Sequence, residues 1–147
     1  MKIAIGCDHG GFEHKEAIKK MLEEKGYTVR DFGIDEVKSV DYPDIALPLA
    51  KSIQKGENEM GILVCGTGIG MSLAANKVKG IRAAVCSDHF SAKYTRLHNN
   101  SNILCLGGRV IGIGTALELA ELFVTTEFEG GRHQTRVDKI TAIENME

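Results

Sequence analysis

The chain has 147 residues, with 18 basic and 20 acidic side chains and a formal net charge of −2. That balance removes the main electrostatic case for a nucleic-acid partner, and no apolar run approaches the roughly 18 residues that span a membrane. Hydrophobic residues make up 43%, which suits one domain over residues 1–147 with a real core. In the opening MKIAIGCDHG, Asp8 arrives before a secretory apolar region can form, so a cytoplasmic location is expected.

In chain order, residues 2–7 (KIAIGC) read as a short apolar strand. Residues 12–25 follow as a helix with Phe12, Ile18, Met21 and Leu22 on one face and Gly26 as its stop. A second strand covers 27–32. Pro43 opens the next helix, with Ile45, Leu49 and Ile53 inward and Gly56 at its end. A third strand covers 60–65 (MGILVC), and a helix over 69–78 uses Leu73, Ala74 and Val78 as apolar contacts. A fourth strand covers 81–86, and Ser87 or Asp88 caps a helix running to about 97. A fifth strand covers 102–106. A long helix spans about 112–125, with Leu117, Ala120 and Val124 buried. A last helix from about 134 to 145 carries Val137, Ile140 and Ile143 on one stripe, and must dock on the domain or on a partner subunit. His14 and His89 read as helix-surface residues.

Several strands are continuous apolar runs, the pattern of a parallel sheet buried on both faces. Five strands alternating with helices predict an α/β three-layer sandwich, doubly wound and flavodoxin-like or Rossmann-like. The strand order expected by analogy is 2-1-3-4-5, plus the C-terminal helix. Such sheets bind ligands beyond the carboxyl ends of their strands, and unusual residues gather there. Strand one exits into Cys7-Asp8-His9-Gly10-Gly11, strand three into Cys65-Gly66-Thr67-Gly68-Ile69-Gly70, and strand five into Gly107-Gly108-Arg109.

The four cysteines, at 7, 65, 86 and 105, have neither disulfide-framework nor zinc-type spacing, so no metal site is expected and three of them read as small buried hydrophobes. Cys65 differs. It precedes a glycine loop whose backbone amides and helix start favour an anion, the setting in which a thiolate acts as nucleophile or base. A tight strand-to-helix turn is the plain alternative. The loop is not a dinucleotide fingerprint, because Met71 stands where glycine or alanine is needed, and it is not a P-loop. The strand ends in Cys65 where a phosphoacceptor receiver needs aspartate. A cysteine phosphatase needs arginine six positions on; Met71 follows Cys65 at that spacing, and Glu13 follows Cys7. His98, with Asn99 beside it, is an acid–base candidate or a simple cap. Asp8 reads as a hydrogen-bonded carboxylate or a turn cap, and His9 as a donor to an anion. Arg132 and Arg136 are one helical turn apart, so both can converge on one phosphate.

GCDHGG, DYPD at 41–44, CGTGIGMSLAANKVKGIRA at 65–83, HNN at 98–100, LGGRV at 106–110 and EGGRHQTRV at 129–137 resemble ribose-5-phosphate isomerase type B over essentially the whole chain. The wider family includes galactose-6-phosphate and allose-6-phosphate isomerases. The resemblance implies a cofactor-free aldose–ketose isomerase of the non-oxidative pentose phosphate branch, acting through an enediolate. By the same resemblance Cys65 is the base, Thr67 assists at the reacting hydroxyls, and His98 is the ring-opening acid. Asp8, His9, Gly66, Thr67, Gly68, Ile69, Gly70, Asn99, Arg109, Arg132 and Arg136 match substrate-binding positions. No acid occurs from 66 to 76, which favours the cysteine version of the site. The family is dimeric at minimum, so a homodimer or dimer of dimers is implied, with part of the His98 to Arg109 set facing a neighbour's Cys65.

The residues support the same chemistry. Moving a proton between C1 and C2 needs one base and fixed donors for the enediolate, each worth roughly 2.7–4 kcal/mol in comparable oxyanion holes. A six-carbon sugar-phosphate isomerase is the nearest alternative. A non-catalytic sugar-phosphate-binding module is the alternative of another class, and it has no use for Cys65 and His98 together.

Overall fold

The computed structural model of the chain describes residues 1–146. Five parallel strands form one sheet: β1 (Lys2–Cys7), β2 (Thr28–Asp31), β3 (Met60–Cys65), β4 (Ala83–Val85) and β5 (Ile103–Gly107). Six α-helices accompany them: α1 (Phe12–Glu24), α2 (Tyr42–Gln54), α3 (Ile69–Ala75), α4 (His89–Asn99), α5 (Ile113–Thr125) and α6 (Arg132–Glu144). Among the described residues, no helix is long and apolar enough to cross a membrane.

The alternation of side chains along the strands divides the core in two. Ile3, Ile5, Ile62, Val64, Leu104 and Leu106 pack with α1, α4 and α5 on one face. Ala4, Leu63, Cys65, Ile103 and Cys105 pack with α2 and α3 on the other. Strands covered on both faces must be apolar at every position, which is why β1, β3 and β5 read as unbroken hydrophobic runs. The expected α/β sandwich is therefore present.

The strand order is β2-β1-β3-β5-β4, so the expected 2-1-3-4-5 is corrected at its last two places. The reason is burial. All five residues of β5 are buried, whereas β4 has three residues, none fully buried. The fully apolar strand takes the interior and the short one takes the edge.

Three other expectations are corrected. His14 is buried, and its Nε2 lies 2.7 Å from the Ile111 carbonyl, tying α1 to the loop after β5. Leu73 is 62% exposed because α3 turns it away from the sheet. On α6 Val137 is buried, but Ile140 and Ile143 are exposed, so that stripe docks at one end only. Pro43 occupies the first turn of α2, and Asp88 caps α4 by accepting the Ser91 N–H at 2.7 Å, both as expected.

Candidate functional site

The glycine loop after β3 packs closely against its neighbours. Gly68 is the N-cap of α3 with a left-handed φ of 83°, and a Cβ there would lie 3.0 Å from the Leu106 carbonyl carbon. Gly68 therefore satisfies both a conformational and a spatial demand. The Gly108 N–H donates to the Cys65 carbonyl at 2.8 Å, and the Arg109 N–H donates to the Gly66 carbonyl at 3.0 Å. A Cβ on Gly10 would lie 2.9 Å from the Gly66 nitrogen. The loops after β1, β3 and β5 thus meet at one place, at the carboxyl edge of the sheet.

Cys65 sits at the centre of that meeting point. It is buried, and its Sγ accepts the Gly68 N–H at 3.1 Å. Asp8 is also buried, and its Oδ1 accepts the Gly10 N–H at 2.8 Å, the backbone partner that sequence reasoning anticipated. Thr67 Oγ1 accepts the Ile69 N–H at 3.2 Å. Two of the loop amides expected to face a ligand, those of Gly68 and Ile69, are therefore engaged within the loop. The amides of Gly66 and Thr67 have no acceptor among the described residues. Asp8, Tyr42, Cys65, Gly66, Thr67, Ile69, Gly70 and Leu73 line a groove of about 440 Å³. His9 is exposed on the adjoining loop, and the Arg109 side chain passes beside Gly66.

The remaining candidates lie elsewhere. α4 starts at the carboxyl end of β4 and runs back across the sheet, about 16 Å for its eleven residues. It delivers His98 and Asn99 to the amino edge, where Arg82, just ahead of β4, donates through Nε to the Asn100 carbonyl at 2.9 Å. Buried Arg96 fastens the same turn, donating to the carbonyls of Ser101 and Thr126 at 2.6 and 3.0 Å. α6 begins there too, because the Glu129 N–H donates to the Leu97 carbonyl at 3.0 Å. Arg132 and Arg136 occupy the first turns of α6, one turn apart as predicted, and both are exposed.

His98 is part of a stack. Its ring lies 3.9 Å from that of His133 at an interplanar angle of 11°, and Tyr94 meets it edge-on at 4.9 Å. Glu129 approaches both histidines, with oxygens 3.7 Å from His98 Nε2 and 3.8 Å from His133 Nε2. Burial holds the His133 imidazole below its ordinary pKa, reinforced by the neighbouring His98, Arg132 and Arg136. His133 and Glu129 were missed from sequence. Their signal was an acid–histidine pair at i and i+4, leading into the helix that carries the two arginines.

The candidate residues thus form two half-sets in one chain. Asp8, His9, Cys65 to Gly70 and Arg109 hold the carboxyl edge, while His98, Asn99, Arg132 and Arg136 hold the amino edge.

A family model described as Ribose/Galactose Isomerase matches residues 3–140. The chain belongs to this family. It is 48% identical to ribose-5-phosphate isomerase B of Escherichia coli, over 97% of this chain and 96% of that one. It is 45% identical to D-erythrulose-4-phosphate isomerase of Pectobacterium atrosepticum, over 100% and 97%. The solved structure of ribose-5-phosphate isomerase B from Mycoplasma genitalium with bound ribulose-5-phosphate superposes with a TM-score of 0.96 at 39% identity, covering 99% of this chain and 97% of that one. Membership in the ribose/galactose isomerase family makes the chain an isomerase.

Proposed function

We propose that the chain interconverts D-ribose 5-phosphate and D-ribulose 5-phosphate in a homodimer whose active sites are each shared between two subunits. The observation that carries this reading is the groove at Cys65, where a thiol bearing a backbone N–H donor stands beside Asp8 and Thr67. Relatives named for five-carbon and four-carbon sugar phosphates support the substrate class.

In this mechanism the Cys65 thiolate removes the proton from C2 of the open-chain aldose and returns it to C1. The Gly66 and Thr67 amides donate to the enediolate oxygens. The Thr67 hydroxyl assists as a proton passes from the C2 hydroxyl to O1. Before that, His98 of a second subunit protonates the ring oxygen as the bond from C1 to that oxygen breaks, and the anomeric hydroxyl gives its proton to water to leave the open-chain C1 carbonyl. His9 from one subunit, with Arg132 and Arg136 from the other, hold the phosphate, which positions the reacting end without changing its own bonds. Asp8, Asn99 and Arg109 hold sugar hydroxyls.

Sharing accounts for the two half-sets. A base and an acid at opposite edges of one rigid sheet cannot reach one pentose. A two-fold dimer brings the carboxyl edge of each subunit to the amino edge of the other. Exposed apolar side chains flank both half-sets, Ile69 and Leu73 at one edge and Ile140 and Ile143 at the other.

The test is turnover of ribose 5-phosphate in chelator-treated buffer, with erythrulose 4-phosphate, allose 6-phosphate and galactose 6-phosphate in parallel. Fast conversion of the pentose alone is the expected result. Preference for another sugar would change the substrate and keep the mechanism. Saturable binding without turnover of any would sink the catalytic reading and leave a binding module.

A further inference from the structure

The triad at the amino edge has a geometry that hydrogen bonding does not explain. The two Nε2···O separations, 3.7 and 3.8 Å, are too long for N–H···O bonds. His133 is 4% exposed, and its Nε2 is the buried side-chain nitrogen or oxygen left without a partner among the described residues. Such an orphan is costly in a folded protein. It faces Glu129, and the donor atoms of His98, Glu129 and His133 all lie within 4.8 Å of one another.

We propose that His98, Glu129 and His133 form a binding site for a divalent transition-metal ion of the zinc class. Two imidazoles and one carboxylate are a donor set found in four-coordinate zinc centres, with the fourth position open to water. Zinc bonds of 2.0–2.1 Å place tetrahedral ligand atoms about 3.3 Å apart. The 3.7 and 3.8 Å separations, which run to the two different carboxylate oxygens of Glu129, exceed that by only a few tenths of an ångström, and the full set of ligand atoms, within 4.8 Å, must draw together to hold the ion. A hard cation such as magnesium, which demands oxygen ligands, does not fit.

The backbone has already arranged the ligands. Glu129 is anchored next to His98 by its N–H bond to Leu97. Gly130 and Gly131, with φ of 71° and 59°, turn the chain so that Glu129 and His133 fall on the same side of the start of α6. One adjustment is required: parallel rings direct their lone pairs side by side, so His98, the half-exposed ring, must tilt off the buried His133. Arg132 and Arg136 stand on the same turns and oppose a cation, which keeps this site weaker than a structural zinc centre.

Occupation has a consequence that rests on the acid role assigned to His98 above. A metal on Nε2 takes the lone pair that must carry the proton, so zinc inhibits ring opening, and a chelator restores it.

The experiment is titration of the metal-free full-length protein with cobalt(II), read by its visible d–d absorption without substrate. The expected result is one cobalt per chain in four-coordinate geometry, without a sulfur charge-transfer band, and displacement by zinc. His133→Asn and, independently, Glu129→Gln each weaken cobalt binding at least about 10-fold, while Cys65→Ser leaves it unchanged. Absence of a saturable band, survival of the band in both variants, or a sulfur band lost in Cys65→Ser would overturn the site. Cobalt binding at these residues without zinc inhibition of an active enzyme would overturn the link to His98. Because binding is read without turnover, failure of the site is distinguishable from failure of the isomerase assignment.

Discussion

Four thiols share this chain, and their surroundings separate them. Burial pushes the Cys7 and Cys86 thiols up to about 11, and pushes fully buried Cys105 well above the ordinary range. None of these three is a thiolate near neutral pH. Cys65 alone among them receives the Gly68 N–H and lines the groove with Asp8 and Thr67. Replacing Cys65 with alanine is therefore expected to lower kcat at least about 100-fold, with sugar-phosphate affinity measured by calorimetry little changed. Turnover near the wild-type rate would remove the base assignment. The Cys65 loop was legible in sequence because its chemistry occupies consecutive residues. Glu129 and His133 were not, because their partner His98 lies some thirty residues earlier and only the packing of α6 on α4 joins them.

At the scale of elements, the least expected feature is Lys15 on α1, whose side chain is fully buried. Its Nζ donates to Asp31 at the end of β2 and to the Ile34 carbonyl, each at 2.8 Å. Burial pushes the Asp31 carboxyl up, but the hydrogen bonds from Lys15 and the Gly33 N–H outweigh it and hold the group below its usual range. A carboxylate with a depressed folded pKa adds stability above its unfolded value of about 3.9, and that stability is lost as pH falls through the lower folded value. Lys15→Met is expected to cost about 2–4 kcal/mol in urea unfolding at pH 7. The loss should shrink below about pH 4, as Asp31 takes up a proton in both proteins. A pH-independent loss would mean that packing, not the ion pair, sets the cost. A lysine in a helix otherwise rich in lysine gave no sign of this burial. The sheet was partly legible for a related reason. Apolar runs marked which segments are strands and that they are parallel, and analogy with common doubly wound sheets supplied the first three places in the order. The exchange of β4 and β5 turns on strand length and edge exposure, which the run IRAAVC overstated by including Ile81, Arg82 and Cys86.

For the whole molecule, the decisive fact is the separation of Cys65 from His98 by the depth of the sheet. It makes sharing testable by mixing. Cys65→Ala and His98→Asn are each expected to be inactive as homodimers. Unfolding and refolding them together forms hybrids in which one of the two sites joins an intact Cys65 to an intact His98. Random pairing of equal amounts makes half the dimers hybrid, so about a quarter of wild-type activity should return. A mixture as inactive as its parents would place the whole site within one chain. The family resemblance implied a shared site, but HNN and CGTGIG by themselves carry no information about which edge of the sheet each will reach.

The antiparallel run of α4 has one more implication, for the behaviour of the enzyme in solution. If each chain offers an acid at one pole and a base at the other, a lone subunit holds two incomplete sites and no complete one. Sites can then be made and lost only in pairs. Specific activity becomes a function of protein concentration, falling on dilution as the dimer dissociates and rising again wherever substrate, bound across both subunits, pulls the association forward by mass action.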